Sequence, residues 1–266
     1  MAEFTAKDVQ TLRQSTGAGM MDAKRALQEN DGDFEAAVKW LREKGLGKAA
    51  ERTGRENAQG AVAITQAGTV AAIVELKCET DFVAKSEGFV AVVQDLADSV
   101  AKSGEAAVDD HKAAVDDLKV TLKENIEVGR VVRFEAGEGN ILDTYLHRQD
   151  GRGVNAVAVE LSGGTQELAH DVAIHIAFAK PEFLSRDEVP ADLVASERET
   201  LAAVTRAEGK PEAALEKIVE GRLGGWFKER VLLEQGFARD DKTTIAQLVE
   251  GGGATVVRFS QVVIGV

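Results

Sequence analysis

Apolar positions in the first fifty residues recur with helical spacing. Thr5 and Asp8 form a capping-box start, and Val9 and Leu12 open an apolar stripe behind it. Gly17-Ala18-Gly19 ends that helix, Met20-Met21-Asp22-Ala23-Lys24-Arg25-Ala26-Leu27 begins another, and Asn30-Asp31-Gly32 turns the chain. Phe34, Ala37, Val38 and Leu41 share one face of a third helix, predicted to stop near Gly45. So short a helical trio builds a small core, which suits a docking unit. The Lys-, Arg- and Glu-rich stretch from Lys48 to Asn57 reads as a linker.

From Gly60 the period changes to that of strands. Ala61–Gln66 and Val70–Leu76 flank Ala67-Gly68 and read as a hairpin. A helix follows, with Phe89, Val90, Val93, Leu96, Ala97 and Val100 on one face. The acidic stretch from Gly104 to Val115 reads as a loop, and Val131-Val132-Arg133-Phe134 as a strand. The pattern then returns. Val157-Ala158-Val159-Glu160-Leu161, preceded by the turn signal Asp150-Gly151, echoes Ile73-Val74-Glu75-Leu76, and a helix is predicted from about Glu167 to Phe178. Val256-Val257-Arg258-Phe259 repeats Val131-Val132-Arg133-Phe134 letter for letter. Two copies of strand–strand–helix–strand are implied, the second carrying an insertion between Pro181 and Phe237. Within it, Leu193, Val194, Leu201 and Val204 sit at helical spacing. Pro211 then opens a second helix through Leu215, Ile218, Val219, Leu223, Trp226 and Phe227. A hairpin of two such helices must fold back on its own core or find a partner.

Composition narrows the function. The 266 residues carry 32 Lys and Arg against 45 Asp and Glu, a net charge of −13. That balance argues against binding to nucleic acid or to an anionic membrane. Cys78 is the one cysteine, which excludes a disulfide framework and a cysteine-based zinc cage and fits a reducing cytoplasm. Met1–Asp8 holds no apolar leader, and no apolar run is long enough to span a bilayer. Catalytic chemistry is hard to find. His170 and His175 lie five apart on one predicted helix, and His111 and His147 stand alone. No phosphate-binding GxxxxGK[ST] loop occurs, and Gly17-Ala18-Gly19 and Gly137-Glu138-Gly139 lack the third glycine of a dinucleotide loop. No cofactor and no metal site is expected, and Cys78 reads as a buried structural thiol.

One stretch stands out: Cys78-Glu79-Thr80-Asp81-Phe82-Val83, between a strand and a helix. Thr80 or Asp81 could cap the helix while Phe82 tucks under it. Read together with Leu12–Leu27, however, the stretch resembles the translation elongation factor Ts family. Tyr145-Leu146-His147, Ala179-Lys180-Pro181, Lys217–Leu223 and Leu232-Leu233-Glu234-Gln235 match in order along the whole chain. The resemblance implies an α+β fold, with an N-terminal three-helix module like a ubiquitin-associated (UBA) domain. Two related α+β subdomains with antiparallel sheets would follow, the second with an inserted helical hairpin. The expected boundaries are 1–54, 55–139 and 140–266, with the hairpin at about 183–236. Some members continue into a further C-terminal helix, which has no counterpart after Val266.

The resemblance also implies guanine-nucleotide exchange on elongation factor Tu, with no covalent catalysis by this chain. Thr80, Asp81, Phe82 and Val83 would disturb the partner's magnesium and phosphate site. Met20, Met21, Lys24, Asn125, Ile126 and His147 would dock on it. In related proteins such a hairpin can mediate dimers, so a homodimer is allowed. The competing reading is a UBA-like protein-binding adaptor without exchange activity, which leaves the Thr80–Val83 stretch and the repeated core without a purpose.

Overall fold

The computed structural model describes residues 4–265. Met1–Glu3, part of the segment read for a leader, and Val266 lie outside the described residues. The N-terminal module is α1 (Ala6–Thr16), α2 (Met20–Glu29) and α3 (Phe34–Ala50). The Thr5–Asp8 capping box forms, and Val9, Leu12, Ala23, Ala26, Leu27, Ala37 and Leu41 make the core. Contrary to expectation, α3 does not stop at Gly45 but runs through to Ala50, taking the first residues of the expected linker. Gly45 is there for a close approach: a Cβ at this position would stand 2.6 Å from Val120 of the helix α3 packs on.

The core begins with β1 (Gln59–Ala67) and β2 (Val70–Cys78), joined at Gly68 (φ 61°). Next come α4 (Asp81–Ala84), α5 (Glu87–Ser103), α6 (Lys112–Leu122) and β3 (Glu127–Glu135). The stretch from Gly104 to Val115 is thus not a loop. It forms a 3-10 helix, Glu105–His111, and the start of α6, anchored by buried Ala107 and Val115. The second copy runs β4 (Ile141–Gln149), β5 (Arg152–Gly163) and α7 (Gln166–Ala179). Then follow the hairpin helices α8 (Ala191–Ala207) and α9 (Glu212–Arg230), the short β6 (Gly236–Phe237) and β7 (Asp240–Thr244), α10 (Ile245–Gly251) and β8 (Ala254–Val263).

Both three-stranded sheets are antiparallel and share one order, β1-β2-β3 and β4-β5-β8. Alternation along the strands divides the apolar side chains between two faces. Ala72, Val74 and Leu76 face α5, whereas Ala71 and Ile73 meet Ala156, Ala158, Leu142 and Val262 of the other sheet. On the far side Val157, Val159 and Leu161 face α7. The result is four layers, helix–sheet–sheet–helix, and it explains why the central strands read as nearly continuous apolar runs. The sheets approach closely at Gly153, where a Cβ would lie 2.2 Å from the Val62 carbonyl oxygen.

The internal repeat extends to a buried carboxylate. Glu75 and Glu160 each sit opposite a register shift in the third strand of their sheet. Glu75 accepts from the Arg130 backbone N–H at 3.0 Å. Glu160 accepts from Gly137 N–H, Asn140 Nδ2 and Arg258 Nε, each at 2.7 Å. Arg258 therefore stands where Arg130 does in the first copy. The four-letter echo falls in a different register: Val74 faces Val131, while its counterpart Val159 faces Phe259 rather than Val256. The similarity of those letters reflects strand composition; the carboxylate and the bulge mark the true equivalence.

Burial alone would raise the Glu160 pKa, but the bonds from Asn140, Gly137 and Arg258 outweigh it and hold the group below its ordinary value. A depressed folded-state pKa contributes stability above the unfolded value, and that contribution is lost as pH falls through the folded one. Glu160→Gln should therefore be destabilised by about 1–3 kcal/mol at neutral pH. In melting curves against pH, its gap from wild type should begin to narrow below about pH 4 and close only once the folded protein takes up the proton.

The hairpin helices are joined through Gly209 (φ 72°) and laced by Arg198–Glu220 and by Arg222–Glu208 at 2.6 Å. Val189, Leu223, Trp226, Phe227 and Val231 close an apolar cluster with Phe183, Val194 and Leu201. The hairpin thus folds back on its own stem, leaving Leu193 and Val204 partly exposed.

Candidate functional site

Strand β2 ends at Cys78, and the chain must turn sharply before α5. Thr80 makes the turn as the N-cap of α4, its Oγ1 accepting from the Val83 N–H at 3.4 Å. Val83 turns inward against the first core, while Phe82 is 73% exposed. Thr80 does cap a helix, but Phe82 does not tuck beneath it. Asp81 lies beside the ring, and Lys85 Nζ sits 3.4 Å from its Oδ2 and 4.3 Å from the Phe82 ring centroid. A solvated ion pair of this kind contributes little stability, but it holds carboxylate and aromatic on one side of a single helical turn.

The turn is clasped from behind. Glu124 Oε2 accepts from the backbone N–H groups of Glu79 and Thr80 at 3.0 and 3.1 Å, and its Oε1 accepts from Thr80 Oγ1 at 2.6 Å. In return Glu79 Oε1 accepts from the Asn125 N–H at 2.6 Å. Burial, then the charge of Glu124, push the Cys78 thiol up to about 12, so it is no nucleophile.

Two expected docking residues belong to this support and not to the surface. Ile126 is fully buried in the first core. Asn125 is 6% exposed, with its Nδ2 donating to the Arg55 carbonyl oxygen at 2.8 Å. Neither presents a side chain that a partner could touch without rearrangement. Both were expected to dock because the resemblance places them in a binding region just before a strand, where sequence spacing does not reveal which way a side chain turns. Glu124, the residue beside them, carried no signal of its own in the sequence.

The remaining expected residues are exposed. Met20, Met21 and Lys24 lie on the outer side of α2, with Met21 75% exposed. Their loop borders a cleft of about 440 Å³ between the module and α6, lined by Gly17, Ala18, Arg42, Lys44, Thr121 and Lys123. The clasp follows directly after Lys123. On the other side of the tip, Arg152 donates to the Gly60 carbonyl oxygen and to Gln59 Oε1, and Gln59 pairs with Cys78. Arg152 opens β5, and exposed His147 lies on β4, the strand paired with it. The end of α6 is thus joined to the Thr80–Val83 tip through Glu124, and the strand pair leading into the tip is tied to β5 through Arg152. The repeat sharpens the point. In the second copy Thr165 caps α7 as Thr80 caps α4, but Gln166 and Glu167 follow, so at this turn the first copy presents an aromatic and the second does not.

His175 and His170 are tied into the fold. His175 is buried, with Nδ1 accepting from the Ala238 N–H and Nε2 against Gln235 Oε1. Burial lowers its pKa, which keeps the ring neutral. His170 pairs with Asp143 at 2.9 Å.

A family model described as Elongation factor TS matches residues 79–266, a span that begins at the tip. The chain is 44% identical to the Elongation factor Ts of Clavibacter sepedonicus and 45% identical to that of Renibacterium salmoninarum. It is 44% identical to that of Streptomyces coelicolor, and in all three cases both chains are covered completely. The chain belongs to the elongation factor Ts family. Its place is accordingly in translation elongation, and the N-terminal three-helix module followed by the α+β core agrees with that membership. Among the described residues, no helix of this elongation factor Ts family member is long and apolar enough to cross a membrane.

Proposed function

We propose that the protein is a cytoplasmic guanine-nucleotide exchange factor for elongation factor Tu and works by binding, without covalent catalysis. The observation that carries this reading is Phe82, a 73%-exposed aromatic beside a carboxylate on a braced strand–helix turn. A GTPase holds GDP through backbone amides around the phosphates and a bridging magnesium ion. An exchange factor needs only to bind the nucleotide-free form more tightly than the loaded one. Linkage then makes it weaken nucleotide binding by the factor by which nucleotide weakens its own. Phe82 supplies apolar area for a pocket on the partner. Asp81 supplies a negative charge that competes for groups ordering the magnesium shell. Met20, Met21 and Lys24 at one end and His147 at the other would hold the partner across the tip, with the methionines giving an adaptable apolar contact.

The test is release of a fluorescent GDP analogue from preloaded elongation factor Tu. Substoichiometric protein should accelerate release catalytically. Binding without acceleration would favour the UBA-like adaptor, and neither binding nor acceleration would remove both readings. Asp81→Asn keeps shape and deletes charge. It should slow release by roughly 3–10-fold, and the deficit should shrink when magnesium is chelated beforehand. A deficit unchanged by chelation would show that the carboxylate does not act on the metal.

A further inference from the structure

We propose that Glu124 is the positioning residue of the exchange tip, acting through Phe82 and not by touching the partner. This rests on the exchange reading above. The carboxylate takes three hydrogen bonds, at 2.6, 3.0 and 3.1 Å, all from the two residues that lead into the tip. Those donors are the ones that a chain leaving a strand for a short helix would otherwise leave to solvent. Helix α4 spans only Asp81–Ala84, too short to hold its own orientation. The brace comes from the opposite segment. Lys123 adopts φ 61°, a left-handed conformation that ends α6 and turns Glu124 back beneath the tip. The clasp is reciprocal, since Glu79 accepts from Asn125 N–H, and Asn125 in turn ties the Arg55 carbonyl. Asn57 Nδ2 donates to Glu127 Oε2 at 3.0 Å, so the same knot fastens the segment that leads in from the N-terminal module. The tip and the two elements around it therefore share one rigid junction, and an aromatic wedge gains from being held in its binding orientation before the encounter.

The experiment measures GDP release from elongation factor Tu against concentration of the full-length protein. Glu124→Ala should lower the maximal release rate by about tenfold while the half-maximal concentration changes less than about threefold, since the docking residues remain. In a Phe82→Ala background the same change should have little further effect, because a brace acting through the ring has nothing left to position. Glu124→Gln retains one oxygen for the two amides and a donor for Thr80 Oγ1, so it should keep most of the wild-type rate. Glu124→Asp falls short of the turn and should lose it. Amide exchange at Glu79 and Thr80 should quicken in Glu124→Ala while the core of α5 stays protected.

Several outcomes would overturn the proposal. These are an undiminished maximal rate in Glu124→Ala, fully additive losses in the double variant, or a Gln variant as impaired as Ala. If Glu124→Ala fails to fold, the Gln and Asp variants decide, and equal rates for the two would reject the role. A wild-type protein that never accelerates release would instead defeat the exchange reading itself.

Discussion

Phe82→Ala is expected to slow stimulated GDP release by up to ~100-fold, with melting temperature and circular dichroism nearly unchanged. The magnitude follows from a Phe ring filling a pocket on the partner, worth roughly 2–3 kcal/mol. The dissociation between activity and stability follows from the structure. At 73% exposure the ring has little to lose on truncation within its own chain, apart from the Lys85 contact at 4.3 Å. Truncation also leaves the clasp intact, because Thr80 and Glu79 bond to Glu124 through the backbone and the Thr80 hydroxyl. Release kinetics and thermal melting on the same preparation check both halves. A large fall in melting temperature, with exchange per folded molecule preserved, would make Phe82 a packing residue.

The contrast between the tip and its surroundings shows what the sequence could and could not reveal. The strand alternation around Ile73-Val74-Glu75-Leu76 and its echo at Val159-Glu160-Leu161 located both central strands, because burial on two faces enforces apolar runs. Helix periodicity located the module, α5, α7 and the hairpin for the same reason. What escaped depends on contacts between distant segments. Gly45 reads as a helix stop by local propensity, yet the neighbouring Val120 demands a small residue there inside a continuing helix. The stretch from Gly104 to Val115 reads as a polar loop because its few inward residues, Ala107, Val108 and Val115, are scattered among exposed carboxylates. Asn125 is drawn into the support of the tip by bonds that cross 46 and 70 positions of sequence, and Ile126 by burial in the first core. Glu124 is legible only once the fold brings it beneath Thr80. On sequence pattern alone Phe82 read more readily as tucked beneath the helix, because the pattern beside a helix cap does not reveal which way an aromatic ring turns.

Phe89→Ala, seven residues further on in the first turn of α5, should give the reverse outcome. Its ring is fully buried in the cluster with Leu76, Cys78, Ala84, Val93 and Leu96, where α5 lies on the first sheet. Removing it leaves a cavity that strands β1 and β2 cannot close, because their other faces are fixed against the second sheet. The expected loss is about 3–5 kcal/mol of folding stability, a drop in melting temperature of roughly 10 °C. Well below that temperature, release per folded molecule should remain within about threefold of wild type, since the clasp and the exposed ring are retained. The two variants together form a decisive pair. If Phe82 acts on a partner and Phe89 on the core, each lowers one observable and spares the other. If both lower stability alone, the tip is only a helix start; if both lower release alone, the first core is looser than its complete burial of Phe89 implies.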